Sequence, residues 1–151
     1  MVAISVEFGL AVHISDVRPM FLDVTFYEHL ATLERAETVN LTCDSEIATW
    51  TRRMRLGFMV LTAVDTVTWS GEELAHLEST ISGPAVQGRL HGALQVRPQP
   101  TPTSGSKATF VGDYELHLPA HLRAFTATAG AQLGQALSLR GEASQRWAAA
   151  H

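Results

Sequence analysis

Residues 119 to 151 read PAHLRAFTATAGAQLGQALSLRGEASQRWAAAH. Pro119 suits the first turn of a helix, where its missing N–H leaves no bond unmade. Leu122, Phe125, Ala129, Leu133, Ala136 or Leu137, Arg140, Ala143 or Ser144 and Trp147 then recur every three or four residues. That is the spacing of one helix face. It predicts a single amphipathic helix from Pro119 to Ala150, roughly 45 Å long at about 1.5 Å per residue. Such a helix overhangs a small domain, and Trp147 near its end is a natural anchor on a partner surface. Gly130, Gly134 and Gly141 each cost up to about 1 kcal/mol in a helix interior, so they mark kinks or places of close approach.

Everything before this helix reads mainly as strands. Val2, Ile4, Val6, Phe8, Leu10 and Val12 are apolar at every even position, as in a strand with one buried face. Ser15 or Asp16 then caps a helical stretch with Pro19 in its first turn. Val17, Met20, Phe21, Val24, Tyr27, Leu30 and Leu33 keep helical spacing to about Arg35, as one bent helix or two short ones. Strands are expected at Val39 to Cys43, Ile47 to Leu56 (ended by Gly57) and Phe58 to Trp69, with a weaker one at Leu74 to Ile81. Two strongly alternating strands follow, around Val86 to Arg97 and Thr109 to Leu118. Pro98 to Ser106 joins them as a polar, exposed hairpin tip. Short turns between successive strands imply an antiparallel meander. Its apolar face needs a cover, and the terminal helix is long enough to provide one.

The bulk composition narrows the classes. The chain has 151 residues, 46% hydrophobic and 17% charged, which suits one soluble globular domain spanning 1–151. A formal charge of −4 argues against nucleic acid as a partner. A lone cysteine, Cys43, fits a reducing cytoplasm and suits a small core residue. The apolar amino end alternates as a strand and lacks a basic leader, so it is not read as a signal peptide. No apolar run reaches the length of a membrane span. GxSxG, GxxxxGK[ST] and GxGxxG are all absent, so nucleophile-elbow and phosphate-loop chemistry find no foothold.

The element order, the Pro119–Ala150 helix and the Thr109-Phe110-Val111-Gly112-Asp113-Tyr114 strand leading into Leu118-Pro119 resemble the helix-grip fold of the START and pollen-allergen-like superfamily. The resemblance covers nearly the whole chain. It implies an α+β fold in which a curved antiparallel sheet of about seven strands wraps a long C-terminal helix. One or two short helices would follow the first strand. It also implies an apolar cavity for lipid- or polyketide-like ligands in many members, and a filled core with protein partners in others. A cystatin-like or hot-dog cone is the runner-up.

On that framework the even residues of the first, sixth and seventh strands face inward. The expected ligand-binding residues are Trp50, Leu90, Leu94, Phe110, Tyr114, Phe125 and Leu133. Gly88, Gly92 and Gly112 share the inner face, either where the sheet bends around the helix or where a cavity opens. Tyr114 would seek a hydrogen-bond partner for its buried hydroxyl. Arg52 shares a strand face with Trp50 and Met54. Turned inward it would require a carboxylate from the protein or a ligand; otherwise it lies near a strand end with its head in water. His91 and His117 would stand opposite each other across a hairpin centred near Ser104, with His13 a conceivable third neighbour. No HxH, HExxH or CxxC spacing completes such a set, so no metal or other cofactor is expected. His76 and Glu78 would form an acid/base pair only if they pointed inward, and Leu77 and Ile81 claim that side.

The first expectation is a non-enzymatic protein that binds an apolar small molecule between sheet and helix. The second is a solid-core interaction protein or homodimer acting through its surface. A cyclase- or hydratase-like enzyme comes third.

Overall fold

The structure is a computed structural model that describes residues 1–56, 58–99 and 105–151. Its elements run β1 (Val2–Leu10), α1 (Ile14–Phe21), α2 (Val24–Glu34), β2 (Glu37–Cys43), β3 (Ile47–Leu56), β4 (Met59–Trp69), β5 (Leu74–Gly83), β6 (Val86–Pro98) and β7 (Ser106–His117). A 3-10 helix (Ala120–Ala127) and the terminal α3 (Ala129–Ala150) close the chain. The strands form a seven-stranded antiparallel sheet in the order β1-β7-β6-β5-β4-β3-β2. Successive strands pair as a meander from β2 to β7, and β1 completes the far edge beside β7. The two short helices carry the chain from one edge strand to the other. The expected break at Gly57 and most of the Pro98–Ser106 connector lie outside the described residues.

Local chemistry explains the two short helices. His13 caps α1 with its ring Nδ1, which accepts from the Ser15 amide at 3.3 Å. The cap therefore precedes Ser15, and Pro19 lies inside the helix rather than in its first turn. Asp23 caps α2 through the Thr25 amide at 3.1 Å, and Arg35 ends it in the left-handed region at φ 55°. Aromatic side chains from both helices join the core. Phe21 meets Phe26 with ring centroids 4.8 Å apart, Phe21 meets Trp69 at 5.7 Å, and Tyr27 meets Trp50 at 5.5 Å. The Tyr27 hydroxyl donates to the Phe21 carbonyl at 2.7 Å. Leu94, Val96 and Phe110 add to this block, and the half of the interior beneath α1 and α2 is filled.

The terminal segment differs from the expected single helix. Ala120–Ala127 is a 3-10 helix with no side-chain cap, and α3 begins only at Ala129. Its 22 residues span about 33 Å. In the first segment the apolar side chains that border the cavity are Leu122 and the exposed Phe125, three residues apart. A three-residue repeat matches the 3-10 period better than 3.6, and Thr128 then breaks the geometry. Trp147 does not overhang either. It is half-buried, its indole N–H donates to Asp23 Oδ2 at 2.9 Å, and its ring stacks on His151 at 4.2 Å. The same carboxylate that caps α2 thereby fastens the end of α3, which the helical period alone does not convey.

Register corrects the histidine pairing. His91 lies opposite Asp113, and His117 opposite Gln87. The β6–β7 register is pinned by Gly92 against Gly112. A Cβ on Gly92 would come 2.7 Å from the Gly112 Cα, and one on Gly112 would come 2.8 Å from the Gly92 Cα. These strands approach so closely that only glycine fits on both sides. His13 is a helix cap, away from that pair on the chain. Among the described residues no group of three or more His, Cys, Asp or Glu side chains gathers to hold a metal.

Candidate functional site

Sheet and α3 do not close upon each other along their whole length. Where the β3–β4 and β5–β6 ends of the sheet meet the 3-10 helix lies a cavity of about 1010 Å³. That is the size of a site for a sizeable organic molecule, about 300–1,000 Å³ being usual. Alternation builds the sheet wall: Leu61 on β4, Leu77 on β5, Leu90 on β6, and Tyr114 and Leu116 on β7 all line it. Leu133, Ala136 and Leu137 of α3 form the opposite wall, and Leu122 and Phe125 of the 3-10 helix flank it. Gly88 also lines the cavity, so the inner-face glycines divide: Gly88 borders the space, while Gly92 and Gly112 permit close strand contact.

The expected ligand-binding residues divide in the same way. Leu90, Tyr114, Phe125 and Leu133 line the cavity. Trp50, Leu94 and Phe110 are buried in the filled half. Tyr114 is turned toward α3, where a Cβ on Gly130 would come 3.2 Å from its hydroxyl oxygen. Gly130 therefore gives the phenol its space. His76 and Glu78 face solvent, with Ala75, Leu77 and Ser79 buried between and beside them. Glu78 pairs with Arg89 at 3.2 Å instead. The conditional acid/base pair inside the cavity is therefore absent. Cys43 is half-buried, and burial pushes its thiol up, away from nucleophilic thiolate chemistry.

The floor of the apolar cavity is charged. Glu34, Arg52, Asp65, Ser79 and Arg140 meet there from α2, β3, β4, β5 and α3. Arg52, Asp65 and Arg140 are only 6%, 2% and 5% exposed. Asp65 is the hub. Its Oδ2 receives Arg140 Nη2 at 3.0 Å and lies 3.1 Å from Arg52 Nη1. Its Oδ1 accepts the Ser79 hydroxyl at 2.5 Å. Burial pushes the Asp65 carboxyl up, but Arg52, Arg140 and Ser79 outweigh it and hold the group below the usual range. Glu34 Oε2 lies 2.7 Å from Arg52 Nε. Here burial wins over the attraction of Arg52 and Arg140, and the Glu34 carboxyl is pushed up. The pairing is uneven: Arg52 is held more firmly protonated by its two carboxylates, while Glu34 remains costly to ionise. Trp50 positions this centre from the solid side. Its ring lies 4.1 Å beneath the Arg52 guanidinium, and its indole N–H donates to Thr38 Oγ1 at 3.0 Å.

Sequence reasoning raised Arg52 as an inward cation and left its partner open; the protein supplies two carboxylates. It missed Asp65 and Glu34 as those partners. The signal was present in part, since Asp65 interrupts the apolar inner face of β4 and Arg140 recurs on the apolar face of the terminal helix.

This arrangement, a seven-stranded meander gripping a terminal helix over a partly hollow interior, has counterparts among solved structures. A protein of Thermus thermophilus superposes with a TM-score of 0.67 at 15% identity, covering 98% of both chains. The Zhui aromatase/cyclase from Streptomyces sp. R1128 gives 0.63 at 12% identity, over 95% of this chain and 94% of that one. A START superfamily protein from Mycobacterium smegmatis gives 0.52 at 11%, over 93% and 97%. The fold is the START-like helix grip. No protein-family model and no curated protein sequence matches the chain. At these identities the helix-grip likeness concerns architecture, and the chemistry must be argued from the residues themselves.

Proposed function

We propose that this chain acts as one helix-grip domain of the bacterial cytoplasm, binding an apolar small molecule between its sheet and α3. The observation that carries this reading is the cavity of about 1010 Å³, walled by leucines from four strands and three helical segments. Apolar surface left facing such a space is stabilised when a ligand covers it, at roughly 25 cal/mol per Å². Trp50, Leu94 and Phe110, buried on the α1 and α2 side, do not line it, so among the described residues the hollow lies to one side of the interior. Binding rather than catalysis is favoured because the charged groups on the floor are paired with one another and His76 and Glu78 point away.

Native mass spectrometry of protein purified without detergent, compared with the denatured mass, tests the reading. Extra mass that vanishes on denaturation supports a carried ligand and reports its composition. A clean apo mass, together with no uptake of added lipids or aromatic polyketide-like compounds, would replace this reading with a surface-acting protein. The same spectrum counts subunits, and with Trp147 packed inside its own chain we expect a monomer.

A further inference from the structure

We propose that the charged floor of the cavity is the seat of a ligand carboxylate, so that the preferred ligand is an apolar molecule ending in a free carboxylate held by Arg52 and Arg140. This rests on the ligand-binding reading above and names the ligand's polar end.

Two guanidinium donors on the floor carry no hydrogen bond among the described residues. Arg52 lies close to Glu34 and Asp65, yet its Nε and Nη1 are buried without an aligned acceptor, and Glu34 Oε2 is buried without an aligned donor. Those two N–H groups are closed off by the protein's own carboxylate oxygens, 2.7 and 3.1 Å away, and are not open to a ligand. Arg140 spends Nη1 on the Ala136 carbonyl and Nη2 on Asp65. Among the described residues, no hydrogen bond occupies Arg52 Nη2 or Arg140 Nε. Both arginines line the cavity, so what its floor offers a ligand is the pair of donors at Arg52 Nη2 and Arg140 Nε. A carboxylate matches that offer best, because its two oxygens fit the planar fork of a guanidinium. A hydroxyl would engage fewer of the donors, and an ammonium would add only more.

Charge balance selects which protein group gives way. The groups facing Glu34 are Arg52 of β3, Asp65 of β4 and Arg140 of α3. Two guanidiniums, Asp65 and Glu34 sum to zero when the cavity holds no anion. An added carboxylate brings one negative charge, and uptake of a proton by Glu34 restores the balance. Asp65 does not take that proton, because two arginines and the Ser79 hydroxyl all favour its ionised form. Glu34 has one close arginine contact, poorly aligned, and burial already favours its neutral form. Binding therefore proceeds as ligand carboxylate plus proton, with no bond made or broken beyond that transfer.

Isothermal titration of the full chain with dodecanoate, dodecanol and dodecylamine separates the possibilities. Dodecanoate is expected to bind at least about tenfold tighter than dodecanol, and dodecylamine weakest. Between about pH 8 and pH 6, where the free acid stays ionised, dodecanoate affinity is expected to rise as pH falls, by up to about tenfold per pH unit. Glu34→Gln, which is neutral at every pH, is expected to bind dodecanoate at least as tightly and with no pH slope. Arg52→Met, checked by circular dichroism for its fold, is expected to lose the preference while still binding dodecanol. Equal affinity for dodecanol and dodecanoate, or preference for the amine, overturns the carboxylate seat and leaves the cavity-binding reading standing. A pH-independent dodecanoate affinity in the native protein overturns the role of Glu34. No binding of any of the three overturns both readings.

Discussion

Asp65 concentrates more consequence than any other side chain in the molecule. It is a fully buried anion on a strand of alternating apolar residues, and it joins β4 to β3, β5 and α3 at once. Removing one partner of a buried ion pair leaves uncompensated charge and costs about 3–5 kcal/mol. Asp65→Asn leaves Arg140 without its carboxylate and Arg52 with Glu34 alone, so urea unfolding should place it within that range. Glu34→Gln should behave oppositely. A carboxyl pushed up by burial contributes stability that is full below its unfolded value, about 4.3. That contribution is lost as pH rises through the higher folded value. At neutral pH the glutamine variant should therefore match or exceed the native protein in stability. For Asp65 the sign reverses: its contribution is present above about 3.9 and disappears as pH falls through its lower folded value. Acid unfolding of the native protein should accordingly set in below about pH 4, and Asp65→Asn should flatten that limb.

The elements show which parts of the architecture simple periodicity can reach. Gly134 and Gly141 lie in the same helix, yet they should respond differently to alanine. At Gly134 a new Cβ meets Val6 Cγ2 at 3.5 Å, an ordinary contact, so Gly134→Ala should raise stability by about 0.5–1 kcal/mol. At Gly141 the new Cβ would come 2.7 Å from the backbone oxygen of Gly9, which cannot move aside. That seam is held by the Ala11 amide donating to Ser144 Oγ at 2.9 Å and by Ser144 donating to the Gly141 carbonyl at 2.6 Å. Gly141→Ala should lower the thermal midpoint, and differential scanning calorimetry of the pair makes the comparison. Sequence raised both glycines as kinks or close approaches without separating them, because separation depends on what lies across the helix. The same limit appears elsewhere. Strict alternation placed β1, β3, β6 and β7 well, since burial on one face is written directly into residue order. The 3-10 start of the terminal segment and the β6–β7 register were not legible, because one depends on two apolar side chains finding a cavity and the other on two glycines meeting. Facing alone put Leu90, Tyr114, Phe125 and Leu133 at the hollow together with Trp50, Leu94 and Phe110, and could not separate the lining from the filled core. The ion-pair floor could not be placed, because it assembles side chains from elements far apart in the chain.

At the scale of the whole molecule the interior is two materials, and the boundary between them is the Arg52–Asp65–Arg140 bridge. Beneath α1 and α2, Phe21, Phe26, Trp50, Leu94 and Phe110 fill space; beyond the bridge, leucines face a void. The two halves should answer truncation differently. Leu94→Ala opens a new cavity in packed surroundings and should cost about 2–5 kcal/mol. Leu133→Ala removes a half-buried side chain whose inner neighbour is already empty space, so far fewer contacts are lost and the cost should fall below about 1.5 kcal/mol. Ligand affinity should reverse that order. Leu133→Trp projects an indole into the hollow and should weaken uptake with little loss of stability, since adding bulk to a void does not overpack a core. Leu94→Ala, on the far side of the bridge, should weaken the fold while leaving affinity within about threefold at temperatures where the protein stays folded. Chemical denaturation and ligand titration on the same three variants would read both quantities. If Leu133→Ala proved as damaging as Leu94→Ala, the hollow would have to be a packed core in solution, and the division of the interior would be lost with it.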